Sequence, residues 1–415
     1  MAHNAHRVFT GTTGRDYLAA LTVEKDREND LRSARDAIRQ TLRDGMGSWS
    51  ERLTKRALFE SDEDVQLRLQ PKFRMQGSFA YRTLNDPAQD PQEIDLDDGM
   101  FVPVSYLHTE HGLHPALISD GYFLAVETAL APLAEERGWT MEEKPSCVRL
   151  RLSDDSHVDI ALYAIPDEQY ETLVEATVLK SVDAVEQHNI RDGTEISATV
   201  YRELDPDQIM LAHREEGWKP SDPRKLDDWV KESIDLYGEQ FRRTSRYLKG
   251  WRDHCWPECR LSSIALMAAA RHSFDTTTRG IPEDRDDLRM LNIAQKLPDF
   301  LNREIPNPVV EGQRLDEGWS QEQRAAFVAA ARELSAEINA AINSAGSKQA
   351  TIDKLINSFG DRIPNEPEMI GDDQGPGGGG GVAAPAVLTQ GLLKEIDNDP
   401  AARDAVRKDG DNRYG

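Results

Sequence analysis

The chain has 415 residues, 38% of them hydrophobic, and a formal net charge of -24. That length holds two domains or one large bilobal unit, and the apolar content is enough to bury a core. The acidic balance argues against a broad nucleic-acid-binding surface, which needs clustered Lys and Arg.

The opening Met1-Ala2-His3-Asn4 lacks a charged-then-apolar signal pattern, and no apolar run is long enough to span a membrane. A cytoplasmic protein with no membrane partner is expected. From about Asp16 to Leu58 the spacing predicts a helix, because Leu31, Ala34, Ile38 and Leu42 recur every three to four residues. Arg32, Arg35, Arg39 and Arg43 fall on an adjoining stripe. The first reading of that stripe is a solvated face paired with neighbouring Asp and Glu; the second is a basic groove for an anion.

From Pro71 to Pro166 the pattern turns to strands. Phe73 and Met75 alternate with polar neighbours before Gly77-Ser78, whose turn can offer backbone N–H groups and a hydroxyl to phosphates. In Ile94-Asp95-Leu96-Asp97 the residues at i and i+2 share a face, so the two aspartates project together while Ile94 and Leu96 enter a core. Adjacent carboxylates repel unless a cation sits between them. Mg²⁺ takes carboxylate and phosphate oxygens together. Further on, Val148, Leu150 and Leu152 alternate with Arg149 and Arg151. A turn at Ser153-Asp154-Asp155-Ser156 leads into Val158, Ile160 and Leu162, which flank Asp159. This is a β-hairpin pattern. Pairing Leu152 with Val158 sets Arg151 opposite Asp159, on a face that carries arginines and a carboxylate.

From about Leu204 the chain reads as helical, with Ile234, Tyr237, Phe241 and Leu248 in one stripe. His254, Cys255 and Cys259 crowd together, but three ligands with no fourth make a weak zinc signal, and ordinary partly buried thiols are the preferred reading. With Cys147 they make three cysteines, too few and odd for a disulfide framework. Ser320 with Gln323 forms a capping-box signature before Phe327, Ala331, Leu334 and Ile338. Past Ile363, the prolines and the run Gly377 to Gly381 predict a flexible linker, then a weakly helical segment from Leu388 to Arg407 and an end at Tyr414-Gly415.

The Gly-Ser turn, the paired aspartates and a third acid follow one another in order. Three carboxylates on adjacent strands can hold two Mg²⁺ ions, one activating a hydroxyl and the other stabilising a leaving pyrophosphate. Metal-dependent nucleotidyl transfer is the chemistry this order suggests.

The segments Met75 to Thr83, Glu93 to Gly99, His157 to Pro166, Arg246 to Asp253 and Leu261 to Met267 resemble the cGAS/DncV-like nucleotidyltransferases (CD-NTases), nearest to the DncV-like cyclic GMP-AMP synthase branch. The resemblance covers roughly Asp16 to Ile363 and implies an α+β fold. A polymerase-β-like nucleotidyltransferase core with a mixed sheet (residues 1–203) would be joined to a helical lobe (204–363) and a flexible tail (364–415). It implies Asp95, Asp97 and Asp159 as metal-binding catalytic acids, with Mg²⁺ or Mn²⁺. Gly77 and Ser78 would hold the donor triphosphate, Lys249 and Ser263 or Ser262 would steady it, Tyr81 would stack a base, and Arg149 or Arg151 would meet a base or phosphate. ATP and GTP are the implied substrates and 3′,3′-cyclic GMP-AMP the implied product, a messenger in antiphage (CBASS-type) defence. The resemblance also implies an E1/E2-like partner that conjugates Gly415, and a folate-like inhibitor near Arg32, Arg35 and Arg39. No nucleic-acid activator is expected. Two alternatives stay open: another cyclic or linear oligonucleotide as product, or an inactive nucleotide-binding module acting through its tail.

Overall fold

A computed structural model describes residues 2–372 apart from 12–13, 58–70, 104–114, 167, 171–195, 197–200, 202–203, 206–207, 222 and 278–279, and of 47–57 and 115–118 the backbone only. The tail with Gly377 to Gly381 and Gly415 lies outside the described residues, as does the segment from Leu388 to Arg407. The described chain forms two compact units.

The first unit comprises residues 20–260 with 306–314 and is built on a mixed sheet. Its strands are β2 (Lys72–Met75), β3 (Ile94–Pro103), β4 (Thr140–Glu143), β5 (Cys147–Ser153), β6 (Ser156–Ile165), β7 (Met210–His213) and β8 (Gly217–Pro220). The order is β2-β3-β6-β5-β4, with β7 joining β6 and β8 joining β7. β3 and β6 run parallel while the neighbouring pairs are antiparallel. A parallel pair needs a long crossover, and the helix Pro115–Arg137 supplies part of it.

Alternation along the strands decides the faces. Ile94, Leu96, Val148, Leu150, Val158 and Ile160 enter one core with Leu31, Ile38 and Leu42 of the helix Lys25–Ala57 and with Phe123, Val126 and Leu130 of the helix Pro115–Arg137. These two helices approach so closely that a Cβ on Gly45 would lie 2.7 Å from the Ala129 Cβ. On the opposite face a smaller core of Phe101, Tyr163, Ile165, Ile196, Tyr201, Leu204 and Ile209 covers the far ends of β3 and β6. It leaves the near ends, which carry the acids, as the working surface.

Several expectations are corrected here. The helix Pro115–Arg137 interrupts the region read as strands. Its apolar residues do not form a clean stripe, since Leu124 is 59% exposed and Pro132 lies within it. The β7–β8 hairpin interrupts the region read as helical; each strand has only four residues, and Gly217 takes φ 75° at the start of β8. The stripe from Ile234 to Leu248 spans two helices, Pro223–Tyr237 and Glu239–Cys255, divided by Gly238 at φ 70°. The hairpin register differs by two residues: Leu150, not Leu152, pairs with Val158, so Arg149 opposes Asp159 and Arg151 opposes His157.

The second unit comprises residues 1–19, 261–305 and 315–415. It holds the helices Ser263–Asp275, Asp286–Leu301, Gln321–Asn343 and Lys348–Phe359. The capping box at Ser320 and Gln323 is formed, and Phe327, Ala331, Leu334 and Ile338 are buried beneath it. The strand β1 (His3–Asn4) pairs antiparallel with β9 (Gly371–Asp372). The His3 imidazole meets the Thr351 hydroxyl at 2.6 Å, and the Ala5 N–H donates to Asp287 at 2.9 Å. The expected linker therefore starts later than 364: Met369 and Ile370 are buried and lead into β9. The expected division at 203 also falls elsewhere. Residues 204–260 cluster with the sheet and residues 1–19 with the second unit, because β7 extends the sheet through Tyr163 and Leu211 while β1 pairs with β9.

No described helix is long and apolar enough to cross a membrane. Among the described residues, the acid–histidine group on β3 and β6 is the one cluster of three or more potential metal ligands. Cys147 and Cys259 are half-buried and Cys255 is exposed, and none of the three is in a disulfide among the described residues.

Candidate active site

The parallel register places Asp97 beside Asp159 and Asp95 beside His157. All four project from the sheet face opposite Ile94, Leu96, Val158 and Ile160, as the period of two requires. Donor atoms of Asp95, His157 and Asp159 lie within 4.8 Å of one another. Burial, with the negative charges of Asp95 and Asp159, pushes the Asp97 carboxyl up to about 7.

Asp97 instead reaches the turn after β2. The Gln76 N–H donates to the Asp97 carbonyl at 2.9 Å, and Gly77 follows at φ 64°. A Cβ on Gly77 would sit 1.9 Å from the Asp97 carboxylate. Two demands therefore require glycine here, a left-handed backbone and a carboxylate at van der Waals range. Ser78 is the next residue of the short helix Gly77–Ala80, and its carbonyl accepts from the Thr83 N–H at 2.9 Å.

Lys249 supports this turn from behind. It is buried, not solvated, and its ammonium donates to the Thr83 carbonyl at 2.8 Å. Burial, with the nearby Arg252, lowers its affinity for a proton to about 8. The Tyr81 hydroxyl donates to Asp227 at 2.7 Å, and Arg242 donates to the Tyr81 carbonyl at 3.1 Å. Burial and the Asp227 charge raise the phenol well above its ordinary range.

The arginines are more committed than the sequence suggests. Arg149 makes two parallel 2.7 Å bonds to Asp159, so its guanidinium braces the third acid. Arg151 bridges Glu142 and Glu93. Arg39 is fully buried and forms a fork of 2.6 and 2.7 Å to Asp98, the residue after Asp97. It belongs neither to a solvated face nor to a surface that could anchor a folate. Arg35 is also buried and bonds Asp36, while Arg32 bonds Glu28 and lies over the Phe79 ring.

Ser262 and Ser263 belong to the second unit. Ser262 caps the helix Ser263–Asp275, its hydroxyl accepting from the Ala265 N–H at 3.2 Å.

The residue that sequence reasoning passed over is His157. It is buried, and its Nδ1 lies 2.6 Å from Glu93 while its Nε2 lies 3.1 Å from Asp95. The signal was present in His157-Val158-Asp159, because i and i+2 share a strand face.

The donor set suits a hard divalent cation. Asp95 Oδ1 is buried outside hydrogen-bond geometry, and burial together with the charges of Asp95 and Asp159 raises the affinity of Asp97 for a proton. A bound cation would relieve both conditions.

The family model for the nucleotidyltransferase domain of DncV-like cyclic GMP-AMP synthases matches residues 71–163, and the model for the cyclic GMP-AMP synthase C-terminal domain matches 238–372. A cyclic GMP-AMP synthase of Escherichia coli (strain TW11681) is 32% identical over 75% of this chain and 72% of its own length. The chain belongs to the DncV-like cyclic GMP-AMP synthase family. A Vibrio cholerae cyclic GMP-AMP synthase is likewise 32% identical, over 77% of this chain and 74% of its own length. The solved Vibrio cholerae DncV in complex with GTP and 5MTHFGLU2 superposes at a TM-score of 0.73 with 25% identity, covering 89% of this chain and 99% of that one. The same enzyme with the linear intermediate 5′ pppA(3′,5′)pG gives a TM-score of 0.71 at 25% identity, covering 89% and 98%. As a member of this family the protein is a nucleotidyltransferase with the expected mixed-sheet fold.

Proposed function

We propose that this protein joins ATP and GTP into 3′,3′-cyclic GMP-AMP by two successive nucleotidyl transfers. The observation that carries the reading is the parallel β3–β6 register, which sets Asp97 beside Asp159 with Asp95 on the same face. Gly77 and Ser78 hold the donor triphosphate next to these acids, and Lys249 fixes the turn through Thr83. Tyr81, anchored by Asp227, offers its ring to a base. In each transfer a ribose 3′-hydroxyl gives up its proton to solvent with the help of the nearby Asp159, its oxygen forms a bond to the donor α-phosphorus, the α–β phosphoanhydride bond breaks, and pyrophosphate leaves. Asp95, Asp97 and Asp159 would hold two divalent cations, which when bound lower the pKa of the attacking hydroxyl and stabilise charge on the leaving group. Positioning and electrostatics supply most of the rate in such transfers. The relatives support the choice of bases: the Vibrio cholerae enzyme has been solved with the adenine-to-guanine linear intermediate and, as an aspartate variant, with ATP, GTP and 5MTHFGLU2.

Mass spectrometry of products from purified protein, Mg²⁺ or Mn²⁺ and all four ribonucleoside triphosphates tests this. Cyclic GMP-AMP formed by the intact chain and not by Asp95→Ala/Asp97→Ala fits the proposal. An adenine-only or pyrimidine-containing product sinks the base assignment. For the messenger role, loss of phage resistance in cells carrying the same double variant is the expected result. Binding of a folate-type molecule, if it occurs on the arginine-bearing helix, would use Arg32 and not the buried Arg39.

A further inference from the structure

We propose that His157 is a direct ligand of the catalytic cation through Nε2, so that the centre offers an imidazole nitrogen beside its carboxylates and favours Mn²⁺ over Mg²⁺. This rests on the metal-dependent reading above and extends it.

Three observations carry the inference. First, His157 is 5% exposed, and its Nε2 is a buried atom with no hydrogen bond. The facing Asp95 Oδ1 is buried and lacks one too, although the two atoms are 3.1 Å apart. The two atoms form a close ion pair whose direction is poor for a hydrogen bond, and a cation between them would take the place of the Nε2 proton as their shared partner. Second, the separation suits a shared cation: adjacent ligands of an octahedral ion with bonds of about 2.1 Å lie about 3.0 Å apart, against the observed 3.1 Å. Third, the other ring nitrogen is spoken for. Nδ1 sits 2.6 Å from Glu93 Oε2, and Arg151 in turn holds Glu93. A carboxylate that accepts Nδ1–H fixes the tautomer, turns the Nε2 lone pair toward the acids and strengthens it as a donor. This carboxylate–histidine–metal arrangement recurs in ligating histidines. Asp159 Oδ1 stands 3.9 Å from Nε2, completing the group.

The metal preference follows from ligand type. Imidazole nitrogen binds later first-row ions better than it binds Mg²⁺, which prefers oxygen alone. Exchanging His157 for a weaker donor should thus cost Mn²⁺ more than Mg²⁺.

Electron spin-echo envelope modulation on the Mn²⁺-loaded full chain tests the assignment directly, with unlabelled and ¹⁵N-histidine protein. The expected result is a coupling from a coordinated imidazole nitrogen that changes with the isotope. His157→Gln should abolish it and weaken Mn²⁺ binding, read from the free-Mn²⁺ signal, by about 10- to 100-fold, with a smaller change for Mg²⁺. Glu93→Gln, which keeps an acceptor at Nδ1, should retain the coupling and weaken Mn²⁺ severalfold. Mn²⁺ bound in a manner that Asp95→Ala/Asp97→Ala abolishes, but with no nitrogen coupling, overturns His157 as a ligand while leaving nucleotidyl transfer standing. No Mn²⁺ bound at all overturns both.

Discussion

At the scale of single residues, Gly77 is the tightest constraint. Gly77→Ala puts a methyl into the Asp97 carboxylate and a side chain on a left-handed backbone, a strain of about 1–2 kcal/mol before the clash is counted. Product formation should fall at least about 100-fold, since a displacement near 1 Å at the reacting centre costs that much. Initial rates beside thermal unfolding check this. A second prediction concerns Asp97. With its carboxyl pushed up to about 7 by burial and the neighbouring acids, cation binding there should release protons at neutral pH. Calorimetry in two buffers of different ionisation enthalpy measures that release, and Asp97→Asn should lose it. A third concerns Lys249, which holds its proton to about 8 in the folded chain against 10.5 when unfolded. The unfolded chain binds more protons between those values, so stability rises with pH there, and the full cost of about 3 kcal/mol is present below about pH 8. Lys249→Met should flatten that rise in urea unfolding, while losing about 1.5–3 kcal/mol for the charge-assisted bond to Thr83. It should also lower product formation by loosening the turn.

Among the elements, the long helix and the catalytic strand share a core and are also tied by a buried ion pair, the Arg39–Asp98 fork. Removing one partner leaves the other charge deep in the core, at a cost of about 3–5 kcal/mol. Arg39→Met should therefore destabilise strongly, and Arg39→Met/Asp98→Leu should recover much of the loss in chemical unfolding. The sequence showed that helix and its apolar stripe, since Leu31, Ala34, Ile38 and Leu42 are all buried. It did not show that an arginine at a neighbouring position turns inward, because its partner lies 59 residues away. The acids were legible for the opposite reason: alternation within one strand is local, and Asp95 and Asp97 needed no distant information to share a face. The register of β5 on β6 was not local in this sense. The irregularity between Arg151 and Ser153 moves the pairing by one residue, and the register beyond it lies two residues from the expected one, which preserves the faces but exchanges which arginine meets Asp159. His157 went unread because one histidine beside an aspartate is common; only the fold brings Glu93 to its other nitrogen.

For the whole molecule, the net charge of -24 acts as a field of self-repulsion that dissolved salt screens. Raising NaCl from about 10 to about 200 mM should lift the unfolding temperature by a few degrees, measured by calorimetry. Double-stranded DNA or RNA added to the synthesis assay should leave the rate unchanged; a stimulated rate would refute that expectation. The strands before Pro166 and the helical character of most of the remainder could be read from periodicity, whereas the mixed sheet was implied only by the family resemblance. The division into units could not, because residues 1–19 join partners more than 240 positions away.

That division has a consequence for how the protein is made. Nearly all of the sheet-bearing unit has been synthesised once residue 260 is added, with only residues 306–314 to come. The opening strand β1 must wait for β9, at residues 371 and 372, before it finds its pairing partner. Chains fold as they emerge, N-terminal material first. In this one the first nineteen residues are born early and are seated late, so a nascent chain stalled before residue 371 should already carry the assembled acid cluster while its own beginning is still open to protease.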